Sequence, residues 1–300
     1  MKQLLILSGK GGTGKTTIAS AFIKLSAARV YADCDVDAPN LHLISGQSTE
    51  PDKADYYGLP IASINTALCS QCDRCRQNCW FDAIVAEKTY RVDPFACEGC
   101  GVCEMVCPVK AITLKPAAAG ELMLYTDGKK VFSTAQLKMG SGTSGLLVTE
   151  VKKRMKAAAG DARFAIIDGS PGIGCPVIAS LAGVDMVLIV AEPSVSGMSD
   201  MQRIIQTAEK FGTNMAVCIN KFDSNPAYAQ RIQGFCKDQR LPFVGRIPYD
   251  PAAVKATNEG LSIVDIDCAA GRAVRPVYDA TLELLFEKEA LCNHDHQNTD

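Results

Sequence analysis

The sequence predicts an α/β fold: a mainly parallel sheet flanked by helices, with a small α+β module inserted into it. Three observations carry that expectation. Short apolar runs recur along the chain, separated by helical patterns, as in a sheet whose parallel strands are joined by crossover helices. The first run, Leu4-Leu5-Ile6-Leu7, leads directly into a glycine-rich loop and then a helical face formed by Ile18, Phe22 and Leu25. After Tyr57 the composition changes abruptly and two matched runs of cysteine begin.

Composition narrows the function classes. With 300 residues and 47% hydrophobic content the chain can bury a proper core. A net charge of -2, from 31 basic and 33 acidic residues, gives no broad electrostatic footprint for nucleic acid or an anionic membrane. The run Leu4 to Leu7 is too short for a signal peptide, and no apolar segment approaches a membrane span. A cytoplasmic protein is expected. In that reducing compartment, fourteen cysteines argue for metal before disulfides.

The loop after the first strand reads Ser8-Gly9-Lys10-Gly11-Gly12-Thr13-Gly14-Lys15-Thr16-Thr17. Gly9, four intervening residues and Gly14-Lys15-Thr16 fit the P-loop pattern. In that pattern, glycines let backbone N-H groups turn inward and the helix N-terminus adds positive potential toward a polyphosphate. Lys15 is expected at the β- and γ-phosphates, and the Thr16 hydroxyl on Mg²⁺. A second lysine, Lys10, lies inside the loop, where a plain P-loop needs none. The strand Val30-Tyr31-Ala32 then ends in Asp33-Cys34-Asp35. Carboxylates at a strand end beside a P-loop face the Mg²⁺ and the attacking water, and Asp35 is the candidate for that task.

Residues 47–57 read as polar and irregular. Cys69, Cys72, Cys75 and Cys79 then have the spacing C-x2-C-x2-C-x3-C, and Cys97, Cys100, Cys103 and Cys107 repeat it 28 residues later. This is the bacterial ferredoxin signature, in which the fourth cysteine of each run serves the other cluster. One [4Fe-4S] centre is therefore assigned to Cys69, Cys72, Cys75 and Cys107, and the second to Cys97, Cys100, Cys103 and Cys79. Trp80 stands where a proline usually follows the fourth cysteine. A zinc site of four thiolates is the competing assignment, but eight cysteines in two matched runs exceed what one zinc needs.

Glu121 to Phe132 reads as a hairpin about Asp127-Gly128. The loop Gly140 to Gly145 reads as a linker before a helix from Leu146 to Ala158; as a second phosphate loop it lacks the Gly-Lys-Thr ending. Phe164-Ala165-Ile166-Ile167-Asp168 is an apolar strand with a terminal carboxylate, placing Asp168 on Mg²⁺ through water. The glycines that follow, from Gly169 to Gly174, suit a loop that changes shape when the γ-phosphate leaves. Cys175 after them is expected to be a small buried hydrophobe.

Three further strands are expected at Met186–Ala191, Met215–Asn220 and Phe243–Ile247, then a closing helix from Val274 to Leu291. Asn220, at a strand end, is a candidate reader of a purine edge. The closing residues Cys292, His294 and His296 have metal-ligand side chains, although a short polar tail is their ordinary role. The chain divides into residues 1–59 and 116–291 as one domain, an inserted module at 60–115, and a tail at 292–300.

With these motifs in place, the chain resembles the MinD/ParA/Mrp group of P-loop ATPases, in a form carrying an inserted bacterial-type 2[4Fe-4S] ferredoxin domain. Lys10-Gly11-Gly12-Thr13-Gly14-Lys15-Thr16-Thr17 matches that group's deviant Walker A motif. Asp33-Cys34-Asp35, Asp168-Gly169-Ser170-Pro171-Gly172 and Ile247-Pro248-Tyr249-Asp250 fall where the group has switch I, switch II and an adenine-side loop. The resemblance covers nearly the whole chain apart from the tail. It implies ATP hydrolysis, with Asp35 positioning water and Asn220, Pro248 and Asp250 on the adenine side. It also implies that Lys10 reaches the nucleotide of a facing subunit, hence a homodimer, or a heterodimer with a paralogue, formed on ATP binding. Asn220-Lys221-Phe222-Asp223 also fits a guanine-reading motif, so GTP is the competing nucleotide. The group's cell-division members have a basic amphipathic C-terminal helix; residues 276–300 here carry six acids and one lysine, so no stable membrane association is expected.

The expected cofactors are ATP, Mg²⁺ and two [4Fe-4S] clusters, with Lys10, Lys15, Asp35 and Asp168 as the catalytic set. Three couplings compete: nucleotide-gated electron transfer to a protein redox partner, assembly with a cluster acceptor, and a nucleotide-switched scaffold whose clusters are structural.

Overall fold

The computed structural model describes residues 1–47 and 49–294, with side chains described to Glu287. β1 (Lys2–Leu7) runs into α1 (Lys15–Ser26), β2 (Val30–Asp33) and a short α2 (Leu41–Ile44). β3 (Asp52–Tyr57) and β4 (Ile61–Ile64) precede α3 (Arg74–Gln77), β5 (Ile84–Ala86), β6 (Tyr90–Val92), α4 (Val102–Met105) and β7 (Ile112–Lys115). The hairpin β8 (Ala118–Thr126) and β9 (Val131–Leu137) leads to α5 (Ser144–Ala158), β10 (Phe164–Asp168), α6 (Cys175–Leu181), β11 (Met186–Ala191) and α7 (Val195–Lys210). β12 (Asn214–Asn220), α8 (Pro226–Asp238), β13 (Phe243–Ile247), α9 (Pro251–Asn258) and α10 (Ala269–His294) close the chain.

Nine strands form one sheet in the order β13-β12-β11-β1-β10-β2-β9-β8-β3. It is parallel from β13 to β9, and β8 and β3 continue it antiparallel. The continuous apolar run of β1 follows from burial on both faces. Leu4 and Ile6 face one core with Ile18 and Phe22 of α1 and Val274 of α10. Leu5 and Leu7 face the other, with Val148 of α5, Val177 of α6 and Ile232 of α8. Alternation in a two-sided sheet thus leaves no polar position to interrupt the run. On the second face Lys152 of α5 is buried and donates from Nζ to the carbonyls of Ala179 (3.2 Å), Ser180 (2.5 Å) and Ala182 (2.7 Å). These belong to the last turn of α6 and its exit, so one cation satisfies them and ties α5 to α6.

Two expectations are corrected. Residues 47–57 are not irregular throughout, because β3 pairs with β8 from Asp52↔Leu124 to Tyr57↔Ala118. As an edge strand it buries only Tyr56, which is why its sequence, with Asp52, Lys53 and Asp55, lacks apolar alternation. The closing helix starts earlier, at Ala269, and runs to His294. The tail metal ligands fall outside the description: His296 is not described, nor are the side chains of Cys292 and His294.

Between β3 and β8 the cysteine segment forms its own small unit. β4 and β7 pair antiparallel from Ile61↔Lys115 to Ile64↔Ile112, bringing the two ends of the segment together. β5 pairs with β6. A separate apolar cluster centres on Ala62, Cys75, Ile84 and Ile112. The backbone repeats the sequence repeat. Left-handed residues recur in register at Gln71 and Gly99, Asp73 and Gly101, and Asp82 and Lys110, and α3 and α4 begin at equivalent positions.

Candidate functional site

A cavity of about 1010 Å³ opens over the loop between β1 and α1, lined by Lys10 to Ile18 together with Asp35, Asn220 and Pro248 to Asp250. The loop is braced from behind. Asn220 donates from Nδ2 to the Thr13 carbonyl (2.6 Å) and Lys221 from Nζ to the Gly12 carbonyl (2.7 Å). The C=O and N-H of a trans peptide point in opposite directions, so holding these carbonyls on one side turns the Thr13 and Gly14 N-H groups to the other. Glycine is required where the bracing comes closest. A methyl group on Gly14, which has φ 91°, would lie 2.2 Å from Asn220 Nδ2, and one on Gly9 would lie 2.1 Å from Asp200 Cβ of α7.

Lys15 and Asp168 form a buried ion pair, Nζ to Oδ1 2.5 Å, with Thr16 Oγ1 3.4 Å from the same nitrogen. Burial opposes the charge on Lys15, but Asp168 and then Asp33 outweigh it and hold its pKa above the ordinary lysine value. The other oxygen of Asp168, Oδ2, is buried without a hydrogen-bond partner among the described residues. With Thr16 beside it, this oxygen suits a hydrated divalent cation. Asp35 lines the cavity, and burial raises its carboxyl pKa.

Asp33 was missed by sequence reasoning, which chose between two aspartates without knowing which one the strand buries. It organises the loop that follows β2, from Asp35 to Leu41. Its Oδ1 accepts the Asp35 N-H (2.9 Å), and its Oδ2 accepts those of Asn40 and Leu41 (both 3.0 Å). Burial, then the Asp168 charge, push its pKa up to about 7. The folded chain thus keeps a proton on Asp33 between about pH 4 and 7 that the unfolded chain has released. Nucleotide-free protein is therefore expected to lose stability as pH rises through that window. Urea midpoints measured across it should fall, and an Asp33→Asn variant should give a flatter profile.

The remaining sequence candidates are placed as follows. Lys10 is folded onto Glu192 of its own chain (2.5 Å). Glu192 was also missed, although it sits at the carboxyl end of β11, the kind of position that picked out Asp35. Asn220 is engaged in bracing the loop, and its Oδ1 accepts the Lys221 N-H (3.0 Å). Asp250 caps two helices, accepting from Ala252 of α9 (3.0 Å) and Ala270 of α10 (3.1 Å), and the Ala270 bond leads in holding its pKa low. Asp223 accepts the Tyr249 N-H (2.7 Å) and lies outside the cavity lining. Cys175 is exposed, not buried as expected, because it opens the surface helix α6 immediately after the switch II loop. No residue of 140–145 lines the cavity over the loop between β1 and α1.

The cysteines line two further small cavities. One is bordered by Cys69, Cys72, Cys75 and Cys107, the other by Cys79, Cys97, Cys100 and Cys103. The fourth cysteine of each run thus lies with the other run. Backbone N-H groups point at those two sulfurs, from Ala83 to Cys79 Sγ (3.4 Å) and from Ala111 to Cys107 Sγ (3.2 Å). Among the described residues, no three His, Cys, Asp or Glu side chains are grouped closely enough to hold a single metal ion. Nor is any described helix long and apolar enough to cross a membrane.

The chain is similar to several known proteins. Uncharacterized protein MJ0578 of Methanocaldococcus jannaschii is 30% identical over 290 residues, covering 94% of this chain and 97% of that protein. Septum site-determining protein MinD of Escherichia coli K12 is 24% identical over 307 residues, covering 95% and 91%. Among solved structures, MinD with Mg-ADP from Pyrococcus horikoshii aligns with a TM-score of 0.56 at 19% identity, covering 94% of this chain and 96% of that one. Residues 4–263 match the CobQ/CobB/MinD/ParA nucleotide binding domain, and the chain belongs to that family.

Proposed function

We propose that the protein is a Mg²⁺-dependent ATPase whose nucleotide state governs electron transfer through two [4Fe-4S] clusters to a protein redox partner. The observation that carries this is the presence, on one chain, of a P-loop cavity and two cavities each bordered by four cysteines. Ligands of a four-iron cluster bind different irons at its corners and stand further apart than thiolates sharing one zinc at about 2.3 Å. Bound there, each cluster supplies reversible one-electron exchange.

In the ATPase cycle the chain's own groups neutralise and orient. The inward N-H groups of Thr13 and Gly14, together with Lys15, hold the β- and γ-phosphates. Lys15, paired with Asp168 in the free chain, is the group placed to take a phosphate oxygen; Asp168 and Thr16 are the residues that would hold Mg²⁺, which would neutralise phosphate charge. Asp35, on the loop fastened by Asp33, accepts a hydrogen bond from the attacking water and aligns it with the γ-phosphorus. At the base end, Asp223 accepts the Tyr249 N-H and lies outside the cavity lining, which favours adenine over guanine.

Lys10 is the proposed contact to a second copy, or to a paralogue, across the nucleotide. Its pairing with Glu192 is then the resting arrangement, exchanged for a phosphate when two chains close. A Lys10→Ala variant should still bind ATP. Its turnover should drop about 10²-fold or more, and light scattering with MgATP should show it monomeric. Normal turnover would remove Lys10 from the catalytic set.

Cys72 and Cys100 are solvent-exposed, one in each set, and that supports the second proposal, cluster assembly. The two separate when anaerobically loaded protein is mixed with an apo-acceptor and MgATP. Electron transfer predicts that the iron stays with the chain; passage of intact clusters to the acceptor establishes assembly instead.

A further inference from the structure

We propose that the segment from Leu137 to Gly145 is the mechanical link between nucleotide and cysteines, and that it acts on the Cys79/Cys97/Cys100/Cys103 site and not on the other. The inference rests on the proposed coupling and specifies its route.

Both ends of the segment touch a switch. At its start, the Leu137 N-H donates to the Val36 carbonyl (2.8 Å), next to Asp35 in switch I. At its end Gly145 lies against the first residue of α6, where an added methyl would come within 3.2 Å of both Cys175 Cβ and its carbonyl oxygen. Lys152, in the second half of α5, holds the last turn of α6, so a displacement of α6 is passed to α5.

The middle of the segment leads to the cysteine module through contacts that leave no slack. A methyl on Gly58 would sit 2.8 Å from Thr143 Oγ1 and 2.9 Å from Ala119 Cβ. Two residues on, the Pro60 carbonyl approaches Gly99 so closely that a methyl there would lie 2.3 Å from its oxygen. Gly99 stands between Cys97 and Cys100. Packed interfaces of this kind pass on displacement instead of absorbing it. At this contact Thr143 Oγ1 is buried and has no hydrogen-bond partner among the described residues. A buried hydroxyl left in that condition is costly, so a second arrangement that gives it a partner is readily reached.

The test is hydrogen exchange by mass spectrometry on the full, anaerobically purified chain, with and without a non-hydrolysable ATP analogue and Mg²⁺. Nucleotide should change exchange in residues 33–40, 138–145, 169–175 and 96–101, while residues 69–75 stay constant. In Thr143→Ala, which opens the contact with Gly58 but leaves those of Gly140 with Phe95 and Gly142 with Glu98, the response at 96–101 should be reduced while that at 33–40 and 169–175 persists. A Thr143→Ser variant, which keeps the contact through its Oγ, should retain the full response. The proposal is overturned if the wild-type response stops at the switches, if 69–75 responds equally, or if Thr143→Ala leaves the response at 96–101 intact. Iron measured on the same samples tests the cluster assignment separately, since the exchange pattern is read whether or not iron is bound.

Discussion

Lys15→Ala is expected to abolish nucleotide turnover, with a loss of about 10²–10³-fold or more in kcat, while the iron content of the chain is unchanged. The side chain has two tasks that its removal ends together. It places a buried positive charge beside the loop between β1 and α1, and it pairs with Asp168, which is fully buried. Without it, Asp168 and Asp33 face each other across a dry site. Removing one partner of such a pair typically costs about 3–5 kcal/mol, so the variant should also unfold at lower urea. The cysteine module has its own apolar cluster and its own paired strands, so iron should survive. Loss of iron in Lys15→Ala would contradict the separation of the two units.

The second large effect concerns the crossed cysteines. Cys107→Ala should halve the iron, and so should Cys69→Ala. The informative experiment combines them. Cys107 borders the same cavity as Cys69, Cys72 and Cys75, so the Cys69→Ala/Cys107→Ala double variant should lose no more iron than either single one. Cys97→Ala with Cys107→Ala should lose both clusters. Four consecutive cysteines serving each cluster would produce the opposite pattern, and iron analysis of the two double variants decides between them.

How much of this was legible in the sequence depended on how local the determining contacts are. The P-loop and cysteine motifs are written in contiguous residues, as are the apolar strands β1, β10, β11 and β12 and the hairpin about Asp127-Gly128, whose expected bounds lie near the observed ones. β3 was not, because its partner β8 is separated from it by the whole cysteine module and its exposed edge permits a polar sequence. Lys10 was conspicuous as an extra charge, yet its resting partner Glu192 lies at the end of a distant strand. The choice between Asp33 and Asp35 depended on burial: one carboxylate fastens the loop and the other faces the cavity. Asn220 was read for the hydrogen bonds its amide offers, and its structural partner, the Thr13 carbonyl, is set only by tertiary packing. Cys175 was judged by the habits of free cysteine, whereas its position at the start of a surface helix exposes it.

The central claim is that nucleotide state and two iron-sulfur clusters are coupled on one chain. Anaerobic purification, iron and sulfide counts, and EPR of the reduced protein with and without MgATP test it most directly. The expected result is about eight irons and eight sulfides per chain, as two four-iron clusters require, with at least one of two reducible signals altered by MgATP. Zinc in place of iron, or two cluster signals indifferent to nucleotide, would contradict it.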